Sequence, residues 1–357
     1  MLRRDLLIAS ALGLTLAARG VNAQPAPEMV KAAQAEGALS IYSTTDSAEV
    51  AGLLQEFRTA YPGIAVEYAD QNSTELYNRF ISEAAAGSGT ADFLWSSAMD
   101  LQVKLVQDGY AQEYKSSQRA GVPDWAVYKD TAYGTTAEPI VFVYNTRLVP
   151  EADVPRTHEA LQKLLVDKKA AYQGKVTSYD PERSGVGFLF VTQDALVNTD
   201  ALWALAKAVG AAGGKLYTSS GAMMERIASG EHTIGFNMIG SYALERRKKD
   251  PNLGVVLPSD HTLVMSRVAF IPKGAKHPNA AKLFLDFLLS KQGQTALLAR
   301  SIGPVRTDMA DAAAAVLGPA GGTSLRPIKV GADLLGYLDQ TKRLRFLRDW
   351  QRAMKPA

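Results

Sequence analysis

The 357-residue chain contains no cysteine. That excludes disulfides, thiol nucleophiles and thiolate metal sites, so stability must come from the core. Histidine is scarce, with His158, His232, His261 and His277 alone, and no two stand at the helical spacing of a metal-ligand pair. HExxH, GxSxG, GxxxxGK[ST] and GxGxxG are all absent, which removes the commonest signatures of metalloproteases, α/β-hydrolases, P-loop enzymes and dinucleotide-binding folds. Asp92 and Asp100 fall in different surroundings and suggest no acid/base dyad. There is no fixed-period repeat, and no apolar run approaches the roughly 20 residues of a membrane-spanning helix.

One apolar run does stand out. Met1-Leu-Arg-Arg-Asp5 is followed by Leu6–Ala18 and then by Val21-Asn22-Ala23. A charged start, a hydrophobic middle and small residues before a cleavage point make 1–23 a secretory leader. Arg3-Arg4 also fits a twin-arginine signal, although the usual Ser or Thr before the pair is missing; an ordinary signal starting with two arginines is the alternative. Three of the 39 basic and one of the 36 acidic residues lie in this leader, so the remainder carries a net charge of only +1. Such a balance offers no bulk attraction for nucleic acid.

Beyond the leader, short apolar runs alternate with helical periodicity. Leu39–Ser43, Ile64–Tyr68 and Asp92–Trp95 read as strands, separated by helices carrying Val50, Leu53, Leu54 and Phe57, then Leu76, Phe80 and Ile81. Strands at Val141–Asn145, Gly174–Tyr179 and Thr233–Asn237 repeat the theme over 140–260. The absence of hairpin turns argues for α/β lobes with mostly parallel sheets flanked by helices. Residues 306–335 read as a surface excursion, and the tail after Tyr337 as a basic helix turning Leu338, Leu344, Leu347 and Trp350 inward. His158 and His277, each at a helix start, read as solvated.

Ligands of such sheets sit beyond the strand carboxyl ends. There the chain repeatedly places hydroxyls or glycine ahead of a helix: Thr44-Thr45-Asp46, Ser96-Ser97, Ser184-Gly185, Ser219-Ser220 and Ser241-Tyr242. Helix N-termini attract anions, and Ser and Thr are equally the preferred N-caps. Recurrence through both halves points to a shared polar cleft, with Arg183 able to add a charge-assisted contact or to pair with Asp180 or Glu182.

Several stretches carry a resemblance: Leu39-Ser40-Ile41-Tyr42-Ser43, Ala91-Asp92-Phe93-Leu94-Trp95, Tyr144-Asn145, Ser184-Gly185, Ser241-Tyr242, and Phe270–Ala275 with His277–Ala281. In order and spacing they resemble periplasmic solute-binding proteins of ABC importers, in the ferric-ion-binding-like branch. That resemblance implies a two-lobed type II periplasmic binding fold with a two-strand hinge, crossing near Thr136–Val141 and Val264–Phe270. The first lobe would hold 38–136 and 270–335, the second 140–264, and 336–357 would form a C-terminal helix.

The resemblance further implies a non-enzymatic periplasmic monomer that needs no cofactor and delivers its solute to an inner-membrane ABC permease. Iron-binding members use two consecutive tyrosines where this chain has Ser241-Tyr242. Asp46 and Tyr242 alone would be left to ligate Fe3+ as cargo. Ser184-Gly185 matches the family's anion position, so a small anionic solute is expected, such as a phosphorylated sugar, phosphonate or carboxylate, with ferric iron as the alternative. A periplasmic sensor would use the same cleft; an enzyme on this fold would lack an evident nucleophile.

Overall fold

The computed structural model describes residues 24–89, 91–317 and 325–355; the expected leader, 1–23, lies outside them. The first five strands are β1 (Ala38–Ser43), β2 (Ala65–Asp70), β3 (Phe93–Ser96), β4 (Val127–Tyr128) and β5 (Ala132–Gly134). The chain then crosses to a second sheet through β6 (Glu138–Asn145), β7 (Val176–Tyr179), β8 (Lys215–Tyr217), β9 (Ile234–Ile239), β10 (Leu253–Val256) and β11 (Thr262–Met265). It returns with β12 (Val268–Phe270) and ends with β13 (Leu325–Pro327).

The first sheet runs β2-β1-β3-β12-β5-β4, and the second β13-β11-β6-β9-β7-β8 with β10 against β6. Both are mixed. β1 is parallel to β2 and β3, whereas β12 is antiparallel to β3 and β5. β7 is parallel to β8 and β9, whereas β6 is antiparallel to β9, β10 and β11. With helices on the sheets, this is the type II binding-protein architecture. The sequence-level α/β reading overlooked how many strands at the crossings run antiparallel, because a crossing strand enters its sheet from the other lobe.

Each layer follows from its apolar spacing. Helix Ser47–Ala60 buries Val50, Leu53, Leu54 and Phe57 on one face. Phe57 meets Phe284 of helix Pro278–Leu289 edge to face, 5.1 Å between centroids. Burying each such side chain contributes about 1.5–3 kcal/mol.

The C-terminal third departs from expectation. β13, assigned above to the first lobe, pairs in parallel with β11 in the second sheet, and Ile328 and Val330 are buried behind it. The 306–335 stretch is therefore partly core, not a surface excursion. Helix Gln340–Ala353 packs on the second lobe through Phe346 and Trp350, with Phe346 5.8 Å from Phe188. Leu344 remains 53% exposed, because Phe346 occupies the inward position assigned to it. Gly210 permits the approach: a β-carbon there would lie 2.4 Å from the Ala353 carbonyl.

His158 is buried, not solvated. Its ring stacks on His261 at 4.1 Å and 9°; Nδ1 lies 3.0 Å from Asp260 Oδ2, and His261 Nε2 lies 3.0 Å from Asp194 Oδ1. The donor atoms of His158, Asp194 and His261 lie within 4.8 Å of one another. Parallel rings nevertheless send their in-plane lone pairs side by side rather than to one point, and a carboxylate already lies within hydrogen-bonding distance of each ring. Burial opposes the His158 imidazolium, but the Asp260 hydrogen bond and the Asp194 and Asp260 charges outweigh it, so its pKa rises above 6.5. Burial likewise works against the Asp260 carboxylate, yet His158 brings it down to about 2. The His158 contribution to stability is thus complete below 6.5 and lost as pH rises through its raised value. That of Asp260 is complete above 3.8 and lost as pH falls toward 2. We predict that His158→Asn lowers Tm most near about pH 5.5 and much less near about pH 8.5. An equal deficit at both, followed by calorimetry, would contradict this linkage.

Candidate functional site

Between the two sheets lies a cleft of about 580 Å³. Its first-lobe wall comes from the loops after β1, β2 and β3, and its second-lobe wall from the ends of β7, β8 and β9 with the helices that follow. Thr44 and Ser97 meet across the ends of β1 and β3, Oγ1 to Oγ 3.1 Å, and the Ser97 N–H donates to Thr44 Oγ1 at 2.9 Å. Asp46 meets Tyr242 across the lobes: the phenol donates to Asp46 Oδ1 at 3.1 Å and accepts the Asp46 N–H at 3.2 Å. Burial raises the Tyr242 pKa even though the nearby Arg267 charge lowers it, so the phenol stays protonated and can donate. Ser219 caps helix Ser220–Ser229 by accepting from Ala222 N–H at 3.4 Å. Ser220 hydrogen-bonds the Tyr179 hydroxyl.

Of the expected site residues, Thr44, Asp46, Ser97, Ser219, Ser220 and Tyr242 line this cleft. The others do not. Thr45 is fully buried and accepts from Arg267 Nη1 at 2.9 Å. Ser96 turns inward to accept the Ala98 N–H. Ser241 points to Glu138. Arg183 offers its backbone: its carbonyl accepts from Thr74 Oγ1 at 3.2 Å.

Ser184-Gly185 is filled from the opposite lobe. Ser184 caps its own helix, Gly185–Val197, at Gly187 N–H. The Gly185 and Val186 N–H groups donate to Thr74 Oγ1 and Ser73 Oγ, both at 3.2 Å. A β-carbon at Gly185 would come within 2.7 Å of Leu101 Cδ1. The glycine is therefore where the lobes touch, not an open anion cradle.

Sequence reasoning missed Asp70, Gln71, Asn72 and Glu75, all cleft-lining. Asp70 Oδ2 accepts the Ser47 N–H at 2.9 Å. Asn72 and Glu75 form a capping box on helix Ser73–Ala85. Asp70, Gln71 and Asn72 close β2 with a carboxylate and two amides rather than hydroxyls, and their place at a strand end is the signal that marks them.

Residues 52–319 match the model for Bacterial extracellular solute-binding proteins. The chain belongs to that family. A substrate binding protein of an ABC transporter from Agrobacterium tumefaciens is 40% identical, with 89% of this chain and 94% of that one covered and a TM-score of 0.83. Iron-bound HitA from Pseudomonas aeruginosa (21% identical, 88% and 99% covered) and AfuA from Actinobacillus pleuropneumoniae with exogenous fructose-6-phosphate (21%, 90% and 99%) share the fold, each with a TM-score of 0.71. A Haemophilus influenzae relative is 28% identical over 223 residues, so the match spans 62% of that protein's length.

This solute-binding protein ties its crossings together with one buried ion pair. Arg267, between β11 and β12, and Glu138, at the start of β6, are both fully buried. Arg267 Nε donates to Glu138 Oε1 at 2.9 Å and Nη2 to Oε2 at 3.1 Å. Thr136 adds a 2.8 Å donor to Oε1, and Ser241 donates to Oε2. Removing one member strands a buried charge, at a cost of about 3–5 kcal/mol. Glu138→Gln is therefore expected to lose about that much stability in urea unfolding, and Arg267→Met combined with Glu138→Leu to recover most of it. A loss under about 1 kcal/mol in Glu138→Gln would show that the pair does not hold the hinge.

Proposed function

We propose that this protein is the solute-capturing component of an ABC importer, closing its lobes on a small polar organic molecule and presenting it to a membrane permease. The observation that carries the reading is the cleft itself, lined from both lobes and flanked by direct interlobe bonds. On one flank Ser73 and Thr74 hold the start of helix Gly185–Val197. On the other, Arg300 of the first lobe pairs with Glu49 at 3.0 Å and with Glu245 of the second lobe at 2.9 Å. A solute touching both walls biases the open–closed equilibrium by its differential affinity. The Agrobacterium relative, described as an ABC-transporter substrate binding protein, supports the same role. Capture would take place outside the cytoplasm, as the family's extracellular description and the expected leader suggest, and no helix of the described residues is long and apolar enough to cross a membrane.

The solute is read from this chain's own lining. The HitA and AfuA neighbours hold iron and fructose-6-phosphate, respectively. An anion here would find the Gly185 and Val186 N–H groups already occupied, and no Lys, Arg or His among the described cleft-lining residues. Ferric ion would find hard donors spread along a cleft of about 580 Å³ and already engaged, Asp46 with Tyr242, Asp70 with Ser47 and Tyr179 with Ser220, while Ser241, beside Tyr242, turns away to Glu138. A polar organic molecule suits that volume better than either.

Arg300→Ala removes an interlobe pair without touching the cleft lining. Titration calorimetry with a solute identified by thermal shift is expected to show affinity reduced by up to about fivefold, the range of a partly exposed pair. Unchanged scattering dimensions on adding any solute that raises Tm would sink the closure mechanism.

A further inference from the structure

The basic tail of the chain takes no part in lining the cleft. Beyond the leader the net charge is +1, yet residues 338–357 hold six basic and two acidic residues, which leaves 24–337 net negative by three. Positive charge is thus segregated onto one element, helix Gln340–Ala353 and the residues just after it.

The helix sorts those cations by side. Phe346, Trp350 and Ala353 are buried against the second lobe. Arg343 lies over the Phe188 ring, 4.4 Å from its centroid, and belongs to that packed side. Arg345, Arg348 and Arg352, spaced three and four residues apart, share the side turned away from it and are exposed. Lys342 and Lys355, also exposed, bracket them, so the basic stripe runs for about 20 Å.

Like charges at these spacings oppose a helix, and the fold does little to answer them. Among the described residues Lys342, Arg345, Arg348 and Lys355 make no ion pair, and Arg352 has only Asp349 at 3.5 Å. The other acids nearby are engaged elsewhere: Asp339 accepts the Lys342 N–H as the helix cap, and Glu182 accepts from Gln351. Other surface cations are closely paired, Arg79 with Glu83, Lys104 with Asp108 and Lys163 with Asp167, at 2.5–2.8 Å. The second basic run, Arg246–Lys249, is also balanced. Lys248 holds Glu245 at 2.7 Å, and Arg246 and Lys249 share a cavity of about 190 Å³ with Asp46, Glu49 and Glu245.

Apolar surface flanks the stripe. Leu344, one turn before Arg348, is 53% exposed. On the other side Val166, 57% exposed, and the half-buried Trp203 line a groove of about 790 Å³ whose opposite wall includes Arg352. Guanidinium forks match phosphate oxygens. Aliphatic side chains and tryptophan among cations suit the boundary between lipid headgroups and acyl chains. An acidic protein segment would call for a shaped and charge-balanced contact, whereas this charge lies along one open line.

We infer that the outer side of helix Gln340–Ala353 docks this protein on an anionic phospholipid surface, with Lys342, Arg345, Arg348, Arg352 and Lys355 facing the headgroup phosphates. None of these residues lines the cleft, so this docking and the solute reading stand or fall separately.

Co-sedimentation of the purified protein with vesicles tests the inference. Vesicles of about one third phosphatidylglycerol in phosphatidylcholine are expected to bind it at low salt and to release it as ionic strength rises, and pure phosphatidylcholine to leave it in solution. Arg345→Gln combined with Arg348→Gln should weaken the partition about thirtyfold, at about 1 kcal/mol per cation. Their Tm should not fall, since neither arginine is paired in the fold. Arg247→Gln combined with Lys248→Gln, on the other basic run, should bind within about twofold of the parent. No binding to the phosphatidylglycerol vesicles at low salt, or equal binding to pure phosphatidylcholine, overturns the inference. An equal loss in both double variants, or a loss in neither, overturns the assignment to this helix. Tighter binding to a soluble oligoglutamate peptide than to the vesicles, at matched anion concentration, overturns the membrane as the occupant in favour of an acidic protein.

Discussion

The buried pair between Arg267 and Glu138 is the constraint on which the arrangement depends. A guanidinium and a carboxylate taken fully out of water are stabilising only when every donor and lone pair is answered. Here the answers come from both lobes: Thr45 from the loop after β1, Thr136 from the first crossing, and Ser241 from the helix after β9. Two of those segments, at Thr45 and Ser241, also carry the cleft residues Thr44, Asp46 and Tyr242. The ion pair fixes the hinge and, through its own hydrogen bonds, sets where the cleft loops begin.

From that anchor the cleft follows. Loops at the strand ends bring short side chains to the opening, and the helices that start after Asn72, Ser184 and Ser219 are capped by those residues' own oxygens. The walls are hydroxyl, amide and carboxylate, with the lobes meeting at Gly185 on one side and at Arg300 on the other. Closing contacts of this strength, a few hydrogen bonds and one partly exposed ion pair, leave the equilibrium between open and closed forms sensitive to a solute.

Much of the architecture was legible in the sequence because strands and helices announced themselves by period. Leu39–Ser43 and the Val50, Leu53, Leu54, Phe57 face needed no tertiary knowledge. The topology rule that ligands sit beyond strand ends found Thr44, Ser97, Ser219 and Tyr242. What remained hidden depends on long-range partners. Nothing local says that Ser241 turns to a glutamate 103 positions away, that Ser73 and Thr74 fill the Ser184-Gly185 helix end, or that His158 stacks on His261. β13 was misplaced for the same reason: three residues reveal no sheet, and the open edge of β11 chose them. Asp70 at the end of β2 and Glu75 beyond it are equally visible in the sequence, but no hydroxyl or glycine at that strand end marks them.

The absence of cysteine gives the most direct test of lobe closure about the Arg267–Glu138 hinge. Single cysteines replacing the exposed Thr59 and Arg247, one in each lobe, can be spin-labelled without background. The interlobe distance distribution is expected to be broad without solute, to collapse to one short distance at saturation in the parent, and to stay broad at saturation in Glu138→Gln. A single unchanging distance in the parent, with and without a solute that demonstrably binds, would contradict the account.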